Sequence, residues 1–385
     1  MAVDYDSYMR RQALYAVAEA AQKRNMTVVA VNRPLCPFTT LMTKRQRVGE
    51  IFKKATLDQL APNLYRYSPT YFLHDHLAYK IPGAVGLNYA ALRSSYNSLQ
   101  KRLGITEPSP IVWYNYPEQG YVSDLFDGSF NIYELYDQLS DANGNPLIRS
   151  QGLRKKLIPK TDLLLTTSRK LQESYGPDYR RSYLLGNGLP RSTFEALSDP
   201  EVKPDESLSA IPSPRIGLAG VISKRVDTDL LAGLAEAKPE WNLVLVGPHA
   251  DQTAIEKLSR FKNVHLPGPV EQSRIPSVLK ALDVGLLPYQ SNDFFDYLNP
   301  LKFYEMAAAG LPIVSWPNHE MEQFPSELVR TVPKEVGAWA KVIEMMLSRP
   351  RAEITALGRS VASEYLWEDM AEKLMGYLEG SYRSQ

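Results

Sequence analysis

A lysine and a glutamate three positions apart, Lys302 and Glu305, follow an Asn-Pro pair in the stretch NDFFDYLNPLKFYEMAAAGLPIVSW, residues 292–316. Asn299 suits a helix N-cap and Pro300 the first helical position, so the spacing predicts a helix opening at this pair. The amides of Leu301 and Lys302 then leave the helix end without intrahelical partners, and the positive end of the helix dipole makes that end an anion site. Lys302 adds a compact charge in the same turn, which suits a phosphate. Glu305 shares the face of Lys302. A carboxylate about one turn behind a diphosphate can accept the two hydroxyl hydrogens of a ribose. The chemistry on offer is nucleotide binding. The same spacing also fits a surface ion pair worth ~0–0.5 kcal/mol on a capped helix.

The elements that would position these residues are short apolar strands alternating with helices. RIGLAG (215–220), NLVLVG (242–247), VHLPG (264–268), VGLLPY (284–289), LPIVSW (311–316) and LVRTV (328–332) read as strands. Helices are expected near 227–237, 251–261, 272–282, 300–309 and 318–323, and three more close the chain near 333–347, 351–364 and 367–382. Buried apolar strands joined by helices make a doubly wound parallel sheet. The helix at 300 follows VGLLPY, so it starts at the carboxyl edge of that sheet, where such sheets bind ligands.

The first half is less regular. A helix is expected at 7–24 and a strand at TVVAVN (27–32), then an irregular Pro- and Tyr-rich section to about 82. Strands follow at 111–115, 131–136, 162–167 and 182–186, again separated by helical stretches. Residues 187–214 hold five prolines and little periodicity, and read as an interdomain linker.

The whole chain sets bounds on function. Its 385 residues exceed one ordinary core and predict two domains. No window approaches the ~18 apolar residues of a membrane span. The N-terminus MAVDYDSYMRRQ has no apolar h-region and reads as lacking a signal peptide. Cys36 is the only cysteine, which excludes an intrachain disulfide or a cysteine-built metal cluster. A cytoplasmic protein is expected. The net charge of +1 divides unevenly, with 24 Lys+Arg against 16 Asp+Glu in residues 1–190 and 20 against 27 thereafter. Oppositely charged halves point to different partners.

NPLKFYEMAAAGLPIVSW resembles the nucleotide-sugar motif of the two-Rossmann-domain (GT-B) glycosyltransferases, specifically the group 1, or family 4, transferases. RIGLAGVISKRVDTDLLAGLAEAKPEWNLVLVGP, NVHLPGPVEQSRIPSVLKALDVGLLPY, TDLLLTTSRKLQE with LLGNGLP, and the closing SEYLWEDMAEKLMGYLEG resemble further parts of that fold, in the same order. The resemblance implies two Rossmann-like domains facing a cleft: residues 1–190 binding acceptor, 191–365 binding donor, and 366–385 crossing back to the first domain. It implies transfer of a sugar from a nucleoside diphosphate to a hydroxyl of a surface glycan, a lipid-linked sugar or a small glycoside. No cofactor is implied beyond the nucleotide sugar, and no metal, because helix amides and cations stabilise the leaving group.

By the same resemblance, Asn299, Pro300, Leu301 and Lys302 form the phosphate end, Glu305 takes the ribose, and Gly220, Gly247, His249 and Val270 line the donor site. Many relatives carry Arg directly after the first glycine, where this chain has Val221, so Lys224 or Arg225 must bring the charge to the diphosphate. Many also carry a second glutamate eight positions before the first, where this chain has Tyr297. A nucleotide-sugar epimerase or hydrolase, or a non-catalytic subunit that binds donor, therefore stays open as an alternative. The fold opens with a buried strand, for which MAVDYD leaves room only at Ala2–Asp4.

Smaller signals each have two readings. Asp137, at the end of a first-half strand, is the expected acceptor-side carboxylate or else a loop Asp. Asp227-Thr228-Asp229 spells a metal-binding pattern but sits where a helix cap belongs. His74-Asp75-His76 has ligand types without a third partner. Trp113, Tyr114 and Tyr116 would stack on a sugar or pack in the core. The basic runs Lys44, Arg45, Arg47, Lys53, Lys54 and Arg154, Lys155, Lys156, Lys160 are solvated faces, or the first is a peripheral dock on anionic lipid at the inner membrane face. Nucleic acid is not expected, because no recognition motif accompanies the near-zero net charge.

Overall fold

The computed structural model describes residues 10–32, 56–68, 78, 80–106, 110–124, 128–141 and 144–382. The Ala2–Asp4 strand, the His74–His76 cluster and the basic run from Lys44 to Lys54 lie outside the described residues.

The second half is built on six parallel strands: β8 (Arg215–Ala219), β9 (Asn242–Val246), β10 (Val264–Gly268), β11 (Val284–Leu287), β12 (Ile313–Ser315) and β13 (Val329–Thr331). Their order across the sheet is β10-β9-β8-β11-β12-β13, with every pairing parallel. The chain winds outward from β8 to β10, then returns to start again at β11. The crevice outside the carboxyl ends of β8 and β11 is therefore the topological switch point. Leu243, Val244, Leu245, Val284, Leu286, Ile313 and Val314 are buried, as strands covered on both faces require.

The first half carries four parallel strands in order: β4 (Ile111–Tyr114), β5 (Phe130–Leu135), β6 (Leu163–Thr166) and β7 (Ser182–Leu184). A three-stranded sheet joins β1 (Val28–Val31) to a β2–β3 hairpin (Thr56–Ala61, Leu64–Ser68), with β3 parallel to β1. The hairpin replaces part of the irregular section expected before residue 82. Helix α1 (Arg11–Gln22) serves both sheets. Ala13, Ala16, Val17, Ala20 and Ala21 pack with Trp113, Phe130 and Ile132, while Leu14 and Ala18 meet Ala30 and Leu64. The first half also carries the helices α2 (Ala84–Leu103), α3 (Ile148–Leu157) and α4 (Arg169–Tyr175).

The expected linker is largely part of the second half. It forms α5 (Arg191–Ser198) and a single 3-10 turn at Glu206–Leu208, and Leu197 and Leu208 are buried in the second core. The helix expected at 318–323 is only a 3-10 turn, Met321–Gln323. The rest of the second half adds α6 (Thr228–Ala237), α7 (Gln252–Leu258), α8 (Ile275–Lys280), α9 (Asp293–Asp296), α10 (Leu301–Ala308), α11 (Val336–Leu347), α12 (Arg351–Ser363) and α13 (Trp367–Tyr382).

The last of these crosses back. Trp367, Ala371, Leu374, Met375 and Leu378 enter the first-half core beside α1, and Glu372 bridges Lys23 at 2.6 Å and Arg24 at 2.8 Å. The two passages of chain between the halves lie side by side. The Leu189 amide donates to the Tyr365 carbonyl and the Trp367 amide to the Leu189 carbonyl, each at 3.0 Å. A Cβ on Gly188 would sit 2.2 Å from that Tyr365 oxygen, so only glycine permits the contact.

Candidate active site

The site forms where carboxyl ends of both sheets face each other. From the second half, β8 ends in Gly220 and β9 in Gly247. Gly247 has φ +147°, and a Cβ there would lie 1.9 Å from the Gly220 carbonyl oxygen. Glycine at 247 lets the two strand ends converge. Beyond them Ile222 pairs with His249, which is exposed, and Val270 is half-buried against the second core.

The loop from Gly220 then crosses to the end of β11, where Val226 pairs with Tyr289 and the Gln290 amide donates to the Arg225 carbonyl at 2.9 Å. Lys224 and Arg225 are exposed at this crossing, with the Arg225 guanidinium 5.6 Å from the Phe294 ring centroid. The cationic loop is thus stitched onto the switch point. Burial pushes the Tyr289 phenol up, with the Arg225 cation opposing and the Glu305 carboxylate adding.

Helix α10 supplies the anion end. It begins one residue later than the sequence implies, with Pro300 as its flanking residue and no side-chain cap. Asn299 is not the cap. Its side chain turns to the first half and donates to the Thr167 carbonyl at 2.9 Å, while its own carbonyl accepts from Asn187 Nδ2 at 2.6 Å. A tertiary partner outcompetes the local one. Leu301 packs its side chain on the first-half core. The amides of Leu301 and Lys302 open the helix, where no intrahelical acceptor serves them. Lys302 Nζ lies 2.8 Å from Glu305 Oε2, with the two side chains 30% and 16% exposed, so both reach solvent while they pair. The Lys302 stem also runs over Gly220, whose ideal Cβ position is 3.6 Å from Cε. The helix end, Lys302, Glu305 and the glycine turn are thereby contiguous.

The first half contributes Asp137, two residues beyond β5 and half-buried. Burial pushes its carboxyl up to about 6, against the opposing pull of the Arg225 guanidinium. Asp137 and Arg225 therefore act on each other across the cleft. Tyr116 and Tyr136 meet edge-on beside it, their hydroxyls 2.8 Å apart.

Trp113 and Tyr114 do not face the cleft. Both are buried: Trp113 Nε1 donates to Glu134 at 2.9 Å and the Tyr114 hydroxyl pairs with Thr161 at 3.0 Å. Glu134 itself is fully buried, held by Arg10, Trp113 and Asn115.

Asp227 caps α6, accepting the Leu230 amide at 3.1 Å, and Lys334 reaches its other oxygen at 2.5 Å. Asp229 turns to Lys257, whose hydrogen bond holds its carboxyl below the usual range. Among the described residues no group of three His, Cys, Asp or Glu is placed to hold a metal, and no helix is long and apolar enough to cross a membrane.

Tyr297 was marked in the sequence only by what it replaces. It leans on the first half, its hydroxyl 3.2 Å from Ser174 Oγ and its ring against Tyr175 and Lys170. Glu320 and Thr167, which join the halves, carry no local signal at all.

Known proteins share sequence or fold with this chain. Residues 214–349 match the model of the group 1 glycosyl transferases. The putative teichuronic acid biosynthesis glycosyltransferase TuaH of Bacillus subtilis (strain 168) is 25% identical over 218 residues, which are 53% of this chain and 54% of that protein. The match thus spans about half the length of that relative. Among solved structures, sucrose-phosphate synthase from Thermosynechococcus elongatus superposes with a TM-score of 0.68 at 15% identity, covering 100% of this chain and 96% of that one. Anabaena HepE, solved in complex with UDP and glucose, superposes at 0.65 and 15% identity over 97% and 96%. The chain has the GT-B fold, and residues 214–349 within its second half are similar to the group 1 glycosyl transferases.

Proposed function

We propose that the protein transfers a glycosyl group from a nucleoside diphosphate sugar to a hydroxyl acceptor in the assembly of a polysaccharide, a lipid-linked sugar or a small glycoside. The observation that carries this reading is the helix end that bears Lys302 and Glu305, set against the Gly220 turn at the switch point of the second sheet. Residues 191–365 bind the donor. The amides of Leu301 and Lys302, with Lys302, Lys224 and Arg225, meet the diphosphate, and the leaving phosphate is stabilised electrostatically without a metal. Glu305 takes the ribose hydroxyls. Gly220 and Gly247 let the backbone approach the ligand, and His249 and Val270 flank the base. Residues 1–190 bind the acceptor, with Asp137 receiving the acceptor hydroxyl, and 366–385 tie the two domains.

HepE was solved with UDP and with UDP-glucose, so UDP-sugars are the first donors to try. A thermal-shift screen of nucleotide sugars, followed by turnover with glycoside acceptors, tests the reading. No stabilisation by any nucleotide sugar would overturn it.

A non-catalytic donor-binding subunit is the second reading. It is favoured by Tyr297, which engages Ser174 and Tyr175. Calorimetric donor binding without turnover or hydrolysis would select it.

We place the chain in the cytoplasm, meeting the inner membrane face through Lys44, Arg45, Arg47, Lys53 and Lys54. Each such charge near an anionic surface is worth ~1 kcal/mol. Replacing all five by Gln should abolish sedimentation with anionic vesicles and spare turnover of a soluble acceptor. If the native protein ignores such vesicles at low salt, the membrane contact is wrong.

A further inference from the structure

One turn of the first half is gripped at both ends by the second. Residues 167–169 follow β6, and Thr167 and Ser168 are buried. Asn299 Nδ2 donates to the Thr167 carbonyl at 2.9 Å. Two residues on, the Arg169 amide donates to Glu320 Oε2 at 2.8 Å. Both gripping side chains are themselves buried, at 7% and 4% exposure.

Their spacing is fixed from behind by Asn318, which is 1% exposed. Its Oδ1 accepts the Glu320 amide at 3.0 Å, and its Nδ2 donates to the carbonyls of Phe295 at 2.8 Å and Leu298 at 3.0 Å. The two arms therefore share one base. Burial pushes the Glu320 carboxyl up, while the Arg169 amide and guanidinium pull the other way.

The gripped turn leads to chemistry on either side. Thr167 Oγ1 donates to the Tyr136 carbonyl at 2.7 Å, and Tyr136 immediately precedes Asp137. On the other side, Asn299 immediately precedes Pro300 and the helix end that bears Lys302 and Glu305. Two hydrogen bonds, Asn299 to Thr167 and Thr167 to Tyr136, thus connect the backbone at the anion site to the backbone at the acceptor carboxylate. Around this buried grip lies a more exposed rim of polar contacts: Lys170 with Asp296, Glu173 with His319 at 3.3 Å, and Ser174 with Tyr297 at 3.2 Å.

We propose that Asn299 and Glu320 are positioning residues that clasp the turn at 167–169 and so set the separation between the donor phosphates and Asp137. The proposal rests on the transferase reading for its catalytic consequence, but the clasp itself is a statement about the distance between the halves. A misplacement of about 1 Å between reacting groups costs on the order of 100-fold in rate, so a clasp of this kind would be felt in turnover. Donor affinity would be spared, because neither side chain is turned to the donor.

The test uses the full chain with Cys36→Ser and dye labels at Gly152→Cys and Lys341→Cys, which are exposed positions in the two halves. Four clasp variants are compared. Asn299→Ala and Glu320→Ala remove the grips. Asn299→Asp keeps the shape but loses the N–H donor to Thr167. Glu320→Gln keeps an oxygen for the Arg169 amide. The first three should broaden and lengthen the single-molecule FRET distance distribution and lower kcat by roughly 10-fold or more. Their donor Kd should stay within about twofold, and Glu320→Gln should behave as the parent. Because the FRET readout needs no turnover, loss of the transferase reading would leave it decisive. An unchanged distance distribution in Asn299→Asp overturns the proposal, even if the alanine variants fail to fold. So does a rise in donor Kd as large as the fall in kcat.

Discussion

Lys302 Nζ sits 2.8 Å from Glu305 Oε2, so the two side chains proposed to meet the donor's diphosphate and ribose are each other's partners. Neither is wasted by this. Both side chains stay partly exposed while they pair, so a ligand can still reach them. The pair is partly exposed, so its own strength is small.

Replacing Glu305 by Ala should therefore weaken donor binding without harming the fold. Loss of a charged hydrogen bond predicts ~1.5–3 kcal/mol, or roughly 10- to 150-fold in Kd by calorimetry. Lys302→Ala should act in the same direction. Unchanged affinity in Glu305→Ala would remove the ribose assignment.

Asp137 predicts a pH dependence with a definite sign. Its carboxyl is pushed up to about 6 in the folded protein, above the unfolded value of 3.8. The native state thus holds a proton that the unfolded chain has released. The penalty for ionising it grows as pH rises from about 4 to 6 and stays at higher pH. Asp137→Asn should stabilise the fold at pH 7.5 by on the order of 1–3 kcal/mol, read as a higher Tm, and have little effect at pH 4. Turnover of the parent should rise through pH 6 as the carboxylate forms. A rate that is flat from pH 5 to 7 would separate Asp137 from the reaction.

Metal should be dispensable. Asp227 is committed to the Leu230 amide and Lys334, and Asp229 to Lys257, so neither is spare. Transfer should persist in excess EDTA. Loss of activity that Mg or Mn restores would overturn the amide-and-cation account of the leaving phosphate.

Arg10 is the most exacting of the buried charges. It pairs with Glu134, donates to the carbonyls of Leu185 at 2.9 Å and Gly186 at 2.7 Å, and lies 4.9 Å from the Trp367 ring centroid. Arg10→Met should leave Glu134 charged in a dry site and cost about 3–5 kcal/mol in urea unfolding. Arg10→Met with Glu134→Leu should recover much of that loss. A single variant of parental stability would show the pair to be solvated.

Legibility in the sequence follows the range of the forces. Strands such as NLVLV and VGLL are buried on both faces, and their continuous apolar runs can be read directly. The β2–β3 hairpin could not be read that way. TLDQLA has no buried residue at any position, so nothing in its pattern separates strand from loop. The helix within 187–214 was masked by its prolines, although Leu197 is fully buried. The helix start at Leu301 and the pairing of Lys302 with Glu305 could be read because both are set by spacing within one or two turns. Asn299 looked like a cap because caps are local too, and its true partner lies 132 positions away. Glu320 and Arg10 have partners 151 and 124 positions away, and no short-range pattern marks either of them.

The lacing of Leu189 to Tyr365 and Trp367 has a kinematic consequence. Two separate tethers would let the halves swivel, slide and twist. Two tethers bonded to each other behave as one short plate. Sliding one past the other would break both hydrogen bonds and drive the Tyr365 carbonyl against whatever stands at Gly188. A rotation about an axis through the plate would keep both hydrogen bonds and would be opposed instead by the grip on residues 167–169. A ligand held by both halves would act on the same hinge that these two hydrogen bonds lace together.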